Sequence, residues 1–200
     1  MIEVYKKKYQ TCLELIEELR LNRPELQNEV LSYNGILDPM AEGIVPILVG
    51  EENKRRNDFT GSEKVYQVDV LVGVVTDSGD LLGIVTNSSS TKYIDEDLIA
   101  AFLDSPRKFN QTVPMHSNRK VHGKRLWWWA LRGIVIPKEK RPVNSVELKK
   151  ITFLDKRAVT KDELKDSILQ MKQNIGERFR LQKVAASWED LFNQSTQDVF

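Results

Sequence analysis

The sequence contains little cysteine and histidine, and it has no long apolar run. A single cysteine, Cys12, excludes an internal disulfide and any metal site built from several cysteines. The two histidines, His116 and His122, are accompanied by too few other ligands for a zinc site. No apolar stretch approaches the roughly 18 residues of a membrane span, and the N-terminal segment lacks the apolar centre of a signal peptide. We therefore expect a cytoplasmic protein with neither a metal site nor a membrane partner.

Acidic residues are missing from one part of the chain, although the net charge of the whole chain is only +1. Between Ser105 and Lys138, here called the acid-free span, the charged residues are Arg107, Lys108, Arg119, Lys120, Lys124, Arg125, Arg132 and Lys138. Clustered Lys and Arg neutralise phosphates, and aromatic faces stack on unpaired bases. The span also holds three consecutive tryptophans, at 127–129, which cannot all share one helix face. Either the tryptophans are core residues beside a solvated cationic face, or the span binds RNA; we favour the RNA-binding interpretation.

Composition and local patterns indicate one domain, or one domain with a small appendage, that contains both helices and strands. The chain has 200 residues, of which 40% are hydrophobic and 30% charged, so it can bury a sizeable core. Capping boxes of the form T-x-x-E, at Thr11 and Thr160, predict helices that begin directly after them. The charged segment at 51–58 is predicted to be helical or exposed, and further helices are predicted at 96–103 and from 187. Alternation predicts strands at 2–5, 64–76 and 143–154, with a hairpin return at 81–86.

One acid stands out by its local sequence. Asp38 precedes Pro39 in the segment YNGILDPMAEGIVPILVG, and proline biases the residue before it away from helical geometry. Gly35 and Gly43 flank it and permit left-handed backbone or a close approach to a ligand. The pattern indicates a carboxylate displayed on a rigid turn, backed by a buried strand or helix. The alternative is a plain turn aspartate, which is the common fate of an Asp-Pro pair.

The nine residues GILDPMAEG, at 35–43, resemble the G-x-L-D-P-x-A-x-G motif of the TruB family of pseudouridine synthases. This resemblance implies that Asp38 is the catalytic residue. Lys64-Val65-Tyr66 is similar to the family's K-x-Y motif, which implies that Tyr66 stacks near the target base. Thr76-Asp77-Ser78-Gly79-Asp80 is similar to the T-D-T-x-D turn, which implies that Asp80 contacts the extruded nucleotides.

The acid-free span also resembles the family. Its segment VPMHSNRKVHGKRL, at 113–126, is similar to the family's V-P-P-x-x-S-A-x-K-x-x-G-x-x-L segment. In the family this segment belongs to a mobile insertion that closes over T-loop RNA, and we place the insertion at about 105–133. The resemblance implies RNA contacts from the cations of this insertion, which are Arg119, Lys120, Lys124, Arg125 and Arg132.

The sequence departs from the family pattern at two places near the expected site. Tyr33 stands where the family often has a histidine, five residues before the aspartate, and its ring could still stack on or wedge between bases. The C-S-x-G-T-Y-I-R motif is absent. Its arginine pairs with the catalytic carboxylate, so another cation is needed. We choose Arg180, with Arg178 as the fallback, because Phe179-Arg180 resembles the end of the missing motif.

The resemblance covers residues 2–155 and implies an α+β fold. This is the pseudouridine synthase fold, with a mixed, mostly antiparallel central sheet flanked by helices and an inserted RNA-clamping segment. We expect one catalytic domain over 1–192, a frayed tail at 193–200 and no RNA-binding PUA domain.

The implied activity is that of an isomerase, an RNA pseudouridine synthase that converts uridine 55 in the T loop of tRNA without a cofactor or metal. The implied partner is tRNA, and we expect a monomer, although the sequence does not report the oligomeric state. Two alternatives stay open. One is a catalytically silent RNA-binding protein or chaperone of the same fold, which the missing arginine motif supports. The other is a synthase acting on another RNA with a guide or partner protein.

Overall fold

Two compact units make up the chain. A computed structural model describes residues 1–59, 61, 63–89, 95, 97, 99, 107–175 and 180–194. Unit 1 comprises Met1–Val70 and Asp166–Gln182, and unit 2 comprises Leu71–Lys165 and Lys183–Phe200. A single catalytic domain over 1–192 stays a prediction. In the part of the chain that the structure describes, none of the helices combines the length and the hydropathy of a membrane span.

Unit 1 contains a three-stranded antiparallel sheet in the order β1, β3, β2. Strand β1 (Ile2–Lys6) confirms the predicted first strand, and it pairs with β3 (Gly43–Val49), which in turn pairs with β2 (Leu31–Tyr33). Val45 and Ile47 lie two residues apart in β3 and are both buried. Side chains at this spacing in a strand point to the same face of the sheet.

Helix α1 (Cys12–Asn22) packs on this sheet. Its buried residues recur at helical spacing, as Leu15, Ile16 and Leu19, and they form one cluster with the inward side chains of β3. The helix is followed by a short 3₁₀ helix (Pro24–Leu26). Strand β3 is followed by two short 3₁₀ helices within Gly50–Phe59, which are separated by non-helical backbone at Arg55 and confirm the helical character predicted at 51–58.

The predicted capping box begins α1. The Glu14 backbone N–H donates to Thr11 Oγ1 at 3.1 Å, and the Glu14 carboxylate accepts from the Thr11 backbone N–H at 2.7 Å. Two backbone donors that would otherwise be unpaired at the helix start are thus satisfied.

Removing this cap should destabilise the protein measurably. We expect Thr11→Ala to lower the free energy of unfolding by about 1 kcal/mol, because one helix-terminal N–H loses its acceptor. Urea denaturation followed by circular dichroism measures the loss. Thr152→Ala, in an exposed irregular segment, is the matched control and should change stability by less than about 0.5 kcal/mol. Equal losses in the two variants would contradict the importance of the cap.

Unit 2 contains three two-stranded antiparallel sheets in its described residues. Their pairs are β4 (Val74–Thr76) with β5 (Val85–Ser88), β6 (Arg107–Thr112) with β9 (Val143–Leu148), and β7 (Lys120–Val121) with β8 (Lys124–Arg125). Helix α2 (Leu126–Ala130) follows β8 directly, and a short 3₁₀ helix (Lys138–Lys140) precedes β9. The hairpin return predicted near 81–86 is confirmed, although the returning strand lies slightly later.

Two longer helices complete the described chain. Helix α3 (Lys161–Ile175) starts at the second capping box, in which the Glu163 carboxylate accepts from the Thr160 N–H at 2.7 Å. Helix α4 (Leu181–Gln194) begins six residues before the predicted start at Ser187, because buried residues already recur at helical spacing from Leu181. The helices and antiparallel sheets confirm the α+β class.

Two predicted strands are shorter in the structure than the sequence pattern suggested. Of the strand predicted at 64–76, only Val74–Thr76 forms a strand. Gly73 has φ 90°, which turns the chain just before β4, and Val65, Val68 and Val70 are largely exposed. The strand predicted at 143–154 ends at Leu148, which pairs with Arg107, the first described residue of the partner strand.

Two other predictions fall wholly or largely outside the described residues. They are the helix at 96–103 and the frayed tail at 193–200, of which only Asn193 and Gln194 are described, as the end of α4.

Candidate active site

Asp38 lies in a tight turn between β2 and β3. The Ala41 N–H donates to the Asp38 carbonyl oxygen at 3.0 Å, and Pro39 occupies the second position of this four-residue turn. Proline at that position pre-sets the backbone angle that the turn needs. The Asp38 residue is exposed, while Leu37 beside it packs against the core of unit 1. The predicted turn with an exposed Asp38 is confirmed, while the rigidity of the turn and the chemical role of the carboxylate stay predictions.

The two glycines of the motif have backbone angles that other residues rarely adopt. Gly35 has φ 117° and Gly43 has φ 143°. A side chain at Gly43 would also lie against Leu37, since an added Cβ would come within 3.7 Å of Leu37 Cδ1. The positive φ values on either side of Asp38 therefore favour glycine at positions 35 and 43.

Main-chain and side-chain bonds from the start of α1 hold the turn. The Tyr9 N–H donates to the Pro39 carbonyl at 2.6 Å, and Cys12 Sγ lies 3.7 Å from the Leu37 carbonyl oxygen. Tyr9 has φ 70°, a left-handed conformation that is uncommon for a residue with a side chain. The hydrogen bond from the Tyr9 N–H to the Pro39 carbonyl stabilises this uncommon conformation.

A buried lysine completes these anchors. Lys6 has no exposed surface, and its Nζ lies 2.5 Å from the Ala41 carbonyl, 3.4 Å from the Pro39 carbonyl and 3.2 Å from the Lys7 carbonyl. Burial lowers the pKa of the Lys6 ammonium, while electrostatic attraction to Cys12, Asp38, Glu14 and Glu42 opposes that decrease. The Lys6 side chain therefore ties β1 to the main chain of the Asp38 turn.

Sequence reasoning missed Lys6, although a signal for it exists. The lysines at 6–8 read as the polar end of the first strand. The strand alternates, however, so Ile2, Val4 and Lys6 share one face, and this face packs inward. Extending the alternation by one residue would have predicted a buried lysine at position 6.

The far end of the motif is fixed by a tyrosine of β1. The Tyr5 hydroxyl donates to Glu42 Oε2 at 2.9 Å, and this hydrogen bond raises the pKa of Tyr5. Tyr5 and Lys6 are consecutive residues of β1, so their side chains lie on opposite faces of the strand. Both side chains contact the motif.

Three other predicted site residues belong to the same unit as Asp38. Tyr33 ends β2 and packs partly into the core, and its carbonyl accepts from the Arg56 guanidinium. Tyr66 is 64% exposed in a segment without regular secondary structure. Arg180 has φ 60° and directly precedes α4. Arg178, the fallback, lies outside the described residues.

Asp80, in unit 2, organises the turn that joins β4 to β5. Its Oδ1 accepts from the Ser78 hydroxyl at 2.7 Å and from the Leu82 N–H at 2.9 Å. The turn is tight, since a Cβ added to Gly83 would lie 2.4 Å from Ser78 Oγ and 2.6 Å from Thr76. The carboxylate predicted to contact nucleotides therefore also shapes the loop that presents it.

The β7–β8 hairpin carries most of the predicted RNA-binding cations. His122 and Gly123 join its strands with φ values of 50° and 76°, the positive pair typical of a type I′ turn. Its register sets Lys120 opposite Arg125 and Val121 opposite Lys124. All five predicted cations, Arg119, Lys120, Lys124, Arg125 and Arg132, belong to unit 2 and are exposed.

The three tryptophans point in different directions, as predicted. Trp127 is 37% exposed and donates to Asn118 Oδ1. Trp128 lies close to two cations, with Arg132 Cζ 3.7 Å and Lys124 Nζ 5.5 Å from its ring centroid. Trp129 packs against a core cluster of Val113, Leu126 and Ile136 and donates to the Val121 carbonyl. One tryptophan therefore anchors the hairpin, and another lies among cations at the surface.

Comparison with known protein families gives a match over residues 23–167 to "TruB family pseudouridylate synthase (N terminal domain)". The chain belongs to the TruB family. The matched range includes Tyr33, Asp38, Tyr66, Asp80 and the whole acid-free span, so it confirms the family resemblance. Lys6 and Arg180 lie outside the matched range.

Curated relatives from the TruB family share part of the chain. It is similar to tRNA pseudouridine synthase B of Clostridium kluyveri, with 30% identity over 160 residues, which is 76% of this chain and 54% of that protein. The enzyme of the same name from Chromobacterium violaceum is 35% identical over 121 residues, 60% of this chain and 40% of that protein. That from an Enterobacter species is 38% identical over 117 residues, 58% of this chain and 37% of that protein. The chain thus spans about half, or less, of the length of these relatives.

Proposed function

We propose that this protein is an RNA pseudouridine synthase that isomerises uridine 55 in the T loop of tRNA. The observation that carries the proposal is the Asp38 turn, an exposed carboxylate held by main-chain bonds within the range that matches the family. The names of the curated relatives, tRNA pseudouridine synthase B, support tRNA as the substrate.

The proposed reaction is a balanced isomerisation. The N1–C1′ glycosidic bond of the uridine breaks, the base turns, and a C5–C1′ bond forms. The proton lost from C5 is matched by the proton that N1 gains, so no other reactant is consumed. Asp38 acts as an ionised carboxylate that either attacks the sugar or abstracts its proton, and both routes require its negative charge.

The target uridine must leave its stacked loop to reach Asp38. Extruding a base costs a few kcal/mol, which aromatic stacking offsets. Tyr66 is the proposed stacking partner, and its 64% exposed ring is accessible to a base. Tyr33 is a second aromatic candidate, and Arg180 is the proposed partner of the Asp38 carboxylate.

The acid-free span is the proposed RNA clamp. Three of its predicted RNA-binding cations lie on one hairpin, and the ring of Trp128 contacts Arg132 and lies near Lys124. We further propose that residues 1–192 form one monomeric catalytic domain with a pseudouridine synthase fold, in which 105–133 is an insertion, and that Asp80 contacts the extruded nucleotides.

Arg132→Gln should weaken tRNA binding on the order of tenfold and reduce the slope of log affinity against log salt by about one. The reason is that one phosphate-neutralising charge is lost while the side chain keeps its polar end. Fluorescence anisotropy with a labelled tRNA transcript at several salt concentrations measures both quantities. Lys54→Gln is the control, because Lys54 is an exposed cation that pairs with Glu51 at 2.7 Å. A salt slope that changes equally in the two variants would contradict the RNA clamp.

The function is tested by mapping pseudouridine in total tRNA and ribosomal RNA from cells with and without the protein. Loss confined to the T-loop uridine supports the proposal. A change at a ribosomal site would instead indicate that the substrate is ribosomal RNA. An unchanged map, together with RNA binding by the purified protein, would favour a catalytically silent RNA-binding protein.

A further inference from the structure

We propose that Trp128 is a positioning residue that holds the Arg132 guanidinium ready to bind an RNA phosphate. In this arrangement Trp128 acts through Arg132 and does not itself stack on a base. The inference deepens the proposed RNA clamp, and it rests on the proposed function for the identity of the RNA.

The guanidinium of Arg132 lies against the face of the Trp128 ring. Its Cζ is 3.7 Å from the ring centroid. Carbon atoms in contact are about 3.5–4.0 Å apart, so a group touching the edge of the ring would lie farther than this from its centre. A cation over the face of a tryptophan ring is attracted by the ring quadrupole, which stabilises this position.

The backbone at the end of α2 keeps the two side chains together. Trp128 in α2 and Arg132 just after it are four residues apart, a spacing that places side chains on one side of a helix. The Arg132 N–H donates to the Trp129 carbonyl at 3.0 Å, and Arg132 Nη1 donates to the Trp128 carbonyl at 3.3 Å. Gly133 follows with φ 68°, the left-handed conformation common after a helix. The guanidinium is thus fixed by both the ring and the main chain of Trp128.

Arg132 keeps most of its hydrogen-bonding capacity for a ligand. A guanidinium has five N–H donors, and among the described residues the Trp128 carbonyl is the only acceptor of the Arg132 side chain. Arg132 is exposed and belongs to the acid-free span, so no carboxylate nearby in the sequence competes for its donors. Arginine and phosphate frequently pair through two parallel hydrogen bonds. An RNA phosphate therefore fits the remaining donors.

Holding the guanidinium in place favours RNA binding because less side-chain freedom is lost when the complex forms. Lys124 Nζ, 5.5 Å from the same ring centroid, adds a second positive charge near the site. A base that stacked on the face covered by Arg132 would first have to displace the guanidinium. These contacts favour a positioning role for Trp128 over a stacking role.

The test is a double-mutant cycle on tRNA affinity, measured by fluorescence anisotropy with a labelled transcript. The cycle consists of Trp128→Leu, Arg132→Gln and the double variant. A matched control cycle combines Trp128→Leu with Arg119→Gln, because Arg119 is another exposed cation of unit 2, and its side chain donates to Asn144 Oδ1 at 3.2 Å. Trp128→Phe is measured as the conservative variant, since phenylalanine also offers an aromatic face to a cation.

We expect Trp128→Leu to weaken tRNA binding about threefold in the wild-type background and less than about 1.5-fold when Arg132→Gln is present. The salt slope should not change in Trp128→Leu, because no charge is lost, and Trp128→Phe should lose less affinity than Trp128→Leu. Equal factors in the two backgrounds would mean that Trp128 meets the RNA directly and would overturn the proposal. Coupling of the same size to Arg119→Gln would also overturn it, since Trp128 would then act on the whole hairpin.

A second measurement needs neither RNA nor activity. Proton NMR of the wild-type protein should show the Arg132 side-chain protons shifted upfield by the Trp128 ring, and the shift should disappear in Trp128→Leu. Unshifted Arg132 protons in the folded wild-type protein would overturn the proposal. Coupling in a protein that binds tRNA but forms no pseudouridine would reject the proposed function and keep the inference. Pseudouridine formation together with an additive cycle would reject the inference and keep the function.

Discussion

Asp38→Asn is expected to reduce pseudouridine formation by about 10³-fold or more while tRNA affinity stays within about twofold. Asparagine has nearly the same shape as aspartate, and main-chain hydrogen bonds of the Asp38 carbonyl and of its neighbours hold the turn. The fold of the turn should therefore survive. A neutral amide can neither attack the sugar nor accept its proton, so the chemical step should fail.

The measurement is single-turnover conversion followed by nucleoside chromatography, with anisotropy for binding. Asp58→Asn is the matched control, because Asp58 is also an exposed acid of unit 1 and pairs with Arg55 at 2.8 Å. It should keep full activity. Turnover by Asp38→Asn within tenfold of the wild-type rate would remove Asp38 from the chemistry.

Leu126→Ala should disrupt the RNA clamp from inside. Leu126 is fully buried in a cluster with Val113 and Ile136, and it directly follows the cationic strand β8. Truncating a buried leucine creates a cavity and typically costs about 2–5 kcal/mol. Because this cluster is small, we expect the hairpin and α2 to lose their fixed arrangement. The affinity for tRNA should then fall further than it does in Arg132→Gln.

Hydrogen exchange followed by mass spectrometry locates this effect. Amides of residues 113–136 should exchange much faster in Leu126→Ala, whereas those of β1 and β3 should keep the wild-type rate. Leu131→Ala is the control, since Leu131 follows the same helix but is 46% exposed. Wild-type tRNA affinity in a Leu126→Ala protein with fast exchange at 113–136 would contradict the need for an ordered hairpin.

The Asp38 turn could be predicted from sequence because its determinants are local. Proline fixes the backbone beside Asp38, and Gly35 and Gly43 have the positive φ values that their spacing indicated. The capping boxes at Thr11 and Thr160 are local as well, and both begin helices. The cationic character of 105–138 is a property of composition, and the structure adds that its tryptophans take three different environments.

Non-local features were harder to predict. The alternation at 64–76 describes a segment able to pair, but a strand forms only where a partner lies beside it, and here pairing is confined to Val74–Thr76. Lys6 escaped notice because a lysine is rarely fully buried. Its burial depends on carbonyl groups more than 30 residues away in the chain, those of Pro39 and Ala41.

The most direct test of the central claim uses tRNA transcript labelled with tritium at C5 of uridine. Forming the C5–C1′ bond displaces the hydrogen from C5, so each pseudouridine releases one label to water. The purified protein should release label from a transcript with the T-loop uridine and none from a transcript with cytidine at that position, and Asp38→Asn should release none from either. Equal release from the two transcripts, or no release by the folded wild-type protein that binds them, would contradict the account.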